Sequence, residues 1–425
     1  MGLSRRPASR SRLAVVVAVL ALALSAFAGS ALASSPSPEP PGSPAATAAP
    51  ALAASPDPSP SPEPTVVTCV LSRASIVYGR SITVQGTVTP AVAGQDVVVM
   101  VDGVDRDTAT TDADGAYSLT LSPRRSVDIS ARAADGTLSA PVSLTVRPAV
   151  TVSHGPVIPF LSMRTVVKVA PSAYDGVISA RLVHRGKLVA TVKARCRDGR
   201  AVFALPLRGI DWFAFTLSLP AAQDLGTRVV KKSVKAEWRT LRQGSTGLRV
   251  KGLLTALKRL KIRVPGVGTT FTGACRDSVV AFQKAYRLPR TYVVDYDDWR
   301  KLDGAVPVKP RYSSPSVHLE VDKTRQVLMV VKSGKVAGLI PVSSGATGNT
   351  PEGAFSIRAK HPTTVPLYGS GVLTWVMGFV GDFAIHGYPS VPPYPASHGC
   401  IREPMWVAQW TYDQSFVGER LYVYH

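Results

Sequence analysis

The sequence predicts a multidomain, mainly β protein: two β-sandwiches, a small helical domain and a C-terminal β-rich domain. Three observations predict it. The chain has 425 residues, more than one hydrophobic core of ordinary size accommodates. Short β-branched runs broken by turn clusters fill residues 65–238, whereas residues 241–302 change to a 3.6-residue apolar period. Strand-type patterning then returns from residue 315 onward.

The chain opens with Arg5, Arg6, Arg10 and Arg12 ahead of an uncharged apolar run at 13–28, and Ala31-Leu32-Ala33 supplies a small-x-small pattern. Residues 1–33 therefore read as a signal peptide, with a run of 16 residues that falls short of a bilayer span. Residues 34–64 hold 11 prolines among Ser and Ala, too little apolar surface to offset chain entropy, and read as an extended linker.

Residues 65–147 carry strand patterns at 81–87, 96–103 and 116–121, separated by turn residues. This segment resembles bacterial immunoglobulin-like modules. Asp112-Ala113-Asp114-Gly115 lacks the remaining ligands of a calcium loop and reads as a hairpin turn. Residues 148–238 form a second sandwich-like block, with runs at 178–182, 188–192 and 201–205.

In residues 239–303, Val250, Leu253, Leu254, Leu257 and Leu260 recur at helical spacing, and Val279, Val280, Phe282 and Tyr286 mark a second helix. Leu241-Arg242-Gln243-Gly244-Ser245, Ala281-Phe282-Gln283-Lys284 and Trp299-x-x-Leu302 resemble a peptidoglycan-binding repeat. The loop at 266–275 departs from that repeat's usual text. Residues 304–314 read as a linker.

Lys and Arg number 49 against 28 Asp and Glu, a net +21 that calls for a polyanionic partner. Export excludes nucleic acid and directs attention to the cell envelope. Residues 228–263 concentrate the surplus, with twelve basic residues and Glu237 alone acidic. They read either as a solvated face or as a docking surface for anionic wall polymers. Cys69, Cys196, Cys275 and Cys400 allow two disulfides in an exported chain, with the pairing open. Their spacing excludes a C-x-x-C zinc site.

Residues 315–425 carry the chemistry. Val317, Leu319 and Val321 alternate, and runs at 326–331 and 337–342 flank the turn Lys332-Ser333-Gly334-Lys335. Further on come His386-Gly387, a Pro-rich loop, and Ser397-His398-Gly399-Cys400-Ile401-Arg402. A cysteine nucleophile needs an imidazole to take its proton and amide donors for the oxyanion it creates. His386 and His398 are the available imidazoles, and the amides around His398, Gly399 and Cys400 are candidate donors. His386, His398 and Cys400 lack an obvious fourth ligand for zinc. Aromatics Tyr368, Trp375 and Tyr388 are candidates either for a substrate cleft or for packing. His318, His361 and His425 carry no readable signal.

His386-Gly387 with Ser397-His398-Gly399-Cys400-Ile401-Arg402 resembles the signature of YkuD-type L,D-transpeptidases. Val317-His318-Leu319-Glu320-Val321-Asp322, Pro341-Val342-Ser343-Ser344-Gly345 and Thr350-Pro351-x-Gly353-x-Phe355 resemble the same family upstream. The resemblance implies Cys400 as nucleophile and His386 as general acid and base. Ser397, His398 and Gly399 then order the motif and its oxyanion region, and Arg402 steadies the site or a substrate carboxylate. It further implies an exported enzyme that acylates Cys400 with a peptidoglycan stem tetrapeptide, expels D-Ala and forms 3-3 cross-links. No cofactor or metal is implied; carbapenem β-lactams are the implied inhibitors. The rival readings are a cell-wall cysteine peptidase and a non-catalytic wall-binding protein.

Overall fold

The computed structural model describes residues 63–365 and 372–425. The signal-type segment 1–33, the linker up to residue 62, and Tyr368 lie outside the described residues. The described chain is mainly β, as the strand patterns predict, with four helices, two of which the apolar periods mark.

In the first block, strands Val66–Val67, Ile82–Thr89, Val70–Leu71 and Ala116–Leu121 make one sheet. Ser75–Val77, Val142–Arg147, Val127–Ala133, Asp96–Val101 and Val104–Thr110 make the other. Alternate residues of Val127–Ala133 are buried, the period-2 pattern of a strand with one covered face. Asp112 Oδ1 accepts the amides of Asp114 and Ala116, so the acidic turn closes on itself. The second block pairs a three-stranded sheet (Ala149–His154, Ser162–Ala170, Arg200–Pro206) with a four-stranded one ordered Lys187–Arg195, Val177–His184, Asp211–Leu219, Arg228–Ala236. All four cysteines are free thiols; Cys69, Cys196 and Cys275 are buried in separate places. The disulfides allowed by export are therefore not formed, and these three thiols act as small apolar packing groups.

Helices α1 (Leu248–Arg259), α2 (Gly273–Ala285) and α3 (Tyr296–Gly304) form the helical block. Thr272 caps α2, and Asp295 with Asp298 makes a capping box on α3. Leu253, Leu257, Val279 and Phe282 bury the shared apolar stripe.

The last block has two sheets. The first runs Lys335–Pro341, Val327–Lys332, His318–Asp322, Arg420–Tyr424, Gly353–Ser356. The second runs Ala359–Thr364, Leu373–Val380, Phe383–Tyr388, Ile401–Pro404, and α4 (Met405–Gln414) packs against it. The alternation at Val317, Leu319 and Val321 predicts one covered face, yet His318–Asp322 is buried throughout. The reason is that both faces are covered. Val327, Met329 and Val331 face the helical block, while Leu328 and Val330 face the second sheet.

The helical block also covers the edge of the first sheet. Arg263 N donates to Leu339 O at 3.0 Å and Leu339 N to Lys261 O at 2.8 Å, continuing the ladder by one segment. Lys284 Nζ donates to Val342 O at 2.7 Å, Trp406 Nε1 to Asp277 Oδ2 at 3.2 Å, and the Arg263 guanidinium lies 4.0 Å over the Trp410 ring. Burial pushes the Lys284 ammonium down to about 7.

Candidate active site

Strands Phe383–Tyr388 and Ile401–Pro404 pair in parallel, with Ile385 opposite Ile401 and His386 opposite Arg402. Cys400 itself lies in the bend just before Ile401, its sulfur against Asp382 O and the Ala384 amide at the start of the His386 strand, and the Arg402 guanidinium acts on both His386 and Cys400. Thirteen intervening residues loop out and return to make this possible.

His386 is 3% exposed, and its Nδ1 lies 2.9 Å from Gly387 O. A carbonyl only accepts, so Nδ1 carries the proton and Nε2 is left as the base. Burial holds the imidazole below its ordinary value, with the Gly387 bond opposing and Arg402 adding to the depression. Burial pushes the Cys400 thiol up, while the Ala384 amide and the Arg402 guanidinium pull the other way. Cys400 Sγ donates to Asp382 O at 3.7 Å. The resting pair is therefore a neutral thiol and a neutral imidazole. Arg402 sits in the field of both and favours thiolate over imidazolium.

The loop before Cys400 is held from several sides. Ser397 Oγ accepts from Gly399 N at 3.0 Å and donates to Cys400 O at 2.5 Å. Asn349 Nδ2 donates to His398 O at 2.6 Å, and Thr350 Oγ1 to Gly399 O at 2.6 Å. Ala346 N donates to Ser397 O at 2.8 Å, and Ser343 exchanges both backbone bonds with Arg402 at 2.9 Å. Lys323 Nζ fastens the supporting turn through Gly348 O at 3.1 Å and Thr350 O at 2.8 Å. Arg290, from the helical block, donates to Pro393 O at 2.6 Å and so anchors the Pro-rich loop.

Gly399 lies at φ +143, and a Cβ there would collide with the Phe383 ring. Gly399→Ala is expected to shift the Cys400 segment and lower turnover by about a hundredfold or more, because misplacing a reacting atom by an ångström has that effect. Steady-state kinetics beside a melting curve checks this.

The sequence-predicted residues divide. Ser397 orders the motif, but it also takes up the Gly399 amide, which removes that amide from the expected oxyanion donors. The amides of His398 and Cys400 have no protein acceptor among the described residues. The His398 side chain is exposed. Tyr388 sits between the two groups that matter, 5.9 Å edge-on to His386 and 4.1 Å from the Arg402 guanidinium. Trp375 packs its ring on Tyr412 at 5.4 Å. Asn349, Lys323, Arg290 and Glu403 are the supporting residues that sequence reasoning missed. Among the described residues no group of three or more His, Cys, Asp and Glu gathers as metal ligands.

Glu403, opposite Gly387, is fully buried; Thr411 Oγ1 donates to its Oε2 at 2.6 Å and Oε1 has no partner among the described residues. Burial pushes its carboxyl from 4.5 up to about 8. A raised acid contributes stability that is full below the unfolded value, near 4.5, and lost as pH rises through about 8. Glu403→Gln, neutral at every pH, is expected to remove part of the fall in Tm between pH 5 and pH 8.5. An unchanged Tm-against-pH slope would contradict this.

The two-sheet fold, the parallel strands that carry His386 and Arg402, and the Ser-His-Gly-Cys loop that leads into the second of them together define a class. Residues 316–423 match the family model of the YkuD L,D-transpeptidase catalytic domain. An L,D-transpeptidase from Xylanimonas cellulosilytica is 30% identical over 45% of this chain and all of its own, with TM-score 0.42. One from Stackebrandtia nassauensis is 23% identical over 44% of this chain and 95% of its own, with TM-score 0.30. A third, LdtMt1 solved in complex with imipenem, is 14% identical over 65% of this chain and 99% of its own, with TM-score 0.24. A search of curated proteins returned no match. The family model establishes that the C-terminal domain of this chain, residues 316–423, belongs to the YkuD family of L,D-transpeptidase catalytic domains.

Proposed function

We propose that the chain is an exported enzyme that builds 3-3 cross-links in peptidoglycan through a thioester on Cys400. The observation that carries this reading is that the parallel pairing sets His386 opposite Arg402 while the bend before Ile401 brings the Cys400 sulfur to Asp382 and Ala384, with Arg402 acting on both groups. His386 Nε2 takes the Cys400 proton as Sγ attacks the carbonyl of the third stem residue. The amides of His398 and Cys400 receive the oxyanion. The C–N bond to the terminal D-Ala breaks, the leaving amine takes the proton from His386, and a thioester remains. An acceptor amine on a neighbouring stem then attacks the thioester. His386 collects its proton and returns it to the departing sulfur, so thiol and imidazole end as they began.

Arg402, Tyr388 and Trp375 are the proposed substrate-side residues, Tyr388 and Arg402 being next to the imidazole. Tyr368 remains a proposal from sequence. The N-terminal Arg-rich apolar segment supports export to the wall, with the two sandwiches and the helical block holding the site there. The imipenem complex of LdtMt1 supports carbapenems as acylating inhibitors of Cys400.

The test is incubation with disaccharide tetrapeptides, followed by mass spectrometry. A cross-linked dimer lighter by one D-Ala is the expected product. D-Ala release without dimer indicates hydrolysis, the peptidase reading. No turnover by folded protein, and no mass shift with imipenem, indicates a wall-binding protein.

A further inference from the structure

The twelve basic residues of 228–263 do not form one patch. Arg249 donates to Glu237 O, Arg259 to Leu302 O, and Arg263 lies on Trp410, so these three serve the internal structure. Lys231 and Lys235 instead stand on the four-stranded sheet of the second sandwich, whose outer face is open.

Registers define that face. Thr191, Arg181, Thr216 and Lys231 lie side by side across the four strands; Lys193, Ser179, Ser218 and Val229 form the next row. Trp212 stands opposite Lys235 at one end. The intervening residues, among them Leu182, Phe215 and Leu217, point into the core. Arg181, Lys193, Lys231 and Lys235 are exposed, and none of the outward positions carries Asp or Glu. Among the described residues these four make no ion pair, whereas Arg185 and Arg195 do. Strands about 4.8 Å apart put Arg181 and Lys231 about 10 Å apart, too far to close on one small anion and suited to successive charges along a chain.

Trp212 is 60% exposed on a shallow hollow of about 320 Å³ that Val183, Gly186, Ala214 and Ser233 also line. An exposed indole beside hydroxyls and cations is a surface on which a sugar ring stacks while its charge is neutralised. We infer that the open face of this sheet binds an anionic glycan polymer, the Trp212 hollow seating a sugar and the Arg181–Lys193–Lys231–Lys235 field holding the polymer's charges. The inference rests on the exported reading only for where such a polymer is met. The exposed apolar side chains of this face, Leu188, Val177 and Val229, stand in separate rows with hydroxyls and cations between them, which fits a polysaccharide better than a lipid surface, since the latter rewards a continuous apolar stripe.

The experiment pellets the full chain with purified wall sacculi, with sacculi stripped of phosphodiester-linked polymer, and with anionic lipid vesicles, at low and high salt. Binding to intact sacculi is expected to weaken with salt. It is expected to fall about tenfold or more in the triple variant Arg181→Glu, Lys193→Glu, Lys231→Glu, and also in Trp212→Ala, which retains every charge. Melting curves of these variants should match the parent's, which shows that they fold, and turnover of soluble tetrapeptide should equal the parent's; a parent without turnover would sink the proposed function and leave this binding test intact. Loss on stripping assigns the charges to phosphodiesters, and retention assigns them to carboxylates on the glycan. Parent-like pelleting of the triple variant, an equal fall in Lys251→Glu with Lys258→Glu on α1, or preferential capture by vesicles would each overturn the inference.

Discussion

Cys400→Ala is expected to abolish D-Ala release and dimer formation, a loss of roughly 10⁴-fold or more, because without the thiolate there is no acyl-enzyme. Stability should barely change. The Cys400 side chain is only partly buried, and its sulfur makes only weak contacts, to Asp382 O at 3.7 Å and to the Ala384 amide. Intact-mass spectrometry after imipenem gives a second readout: the parent gains one adduct and the variant none. An adduct on the variant would move the nucleophile elsewhere. Cys69, Cys196 and Cys275 are the other thiols, and their burial makes them poor competitors.

His386→Gln is expected to lower acylation by about 10²- to 10⁴-fold, the usual worth of a positioned general base. The pH profile separates loss of the base from loss of shape. A base must be neutral to accept a proton, so the parent's rate falls as pH drops through the His386 value. That value lies below the ordinary 6.5, since burial and Arg402 both disfavour imidazolium. The acid limb should therefore lie below 6.5 and disappear in His386→Gln. Arg402→Gln should move the limb upward, because it removes a positive charge facing the imidazole. A limb that stays in place in both variants would assign it to another group.

What sequence reading reached and what it missed follow from range. The alternating runs that became Val177–His184 and Ala116–Leu121, and the helical period of α1, are local patterns and were legible as such. So was the Ser397–Arg402 motif, whose parts lie within a few residues. The strand at Arg420–Tyr424 was not legible, because its place between two earlier strands is set by a parallel pairing about a hundred residues away. Helix α4 has no side-chain cap and follows a proline, so it gives little boundary signal. Lys284, Arg290 and Asn349 reach carbonyls at sequence separations of 58, 103 and 49, and nothing in the neighbouring text announces such contacts. Glu403 looks like any charged residue in a motif until its burial is known.

The ladder joining Lys261 and Arg263 to Leu339 changes what counts as the working piece of this protein. Cut at residue 315, the catalytic fragment would present the strand Lys335–Pro341 with unpaired amides and carbonyls beside newly bare Val327, Met329 and Val331. Such an edge recruits other chains and precipitates. The fragment suited to expression, crystallisation or inhibitor screening thus begins ahead of α1. In heredity as in the laboratory, the helical block and the catalytic block travel as one part: a recombination that swaps the first for an unrelated wall-binding module would strip the second of its cover.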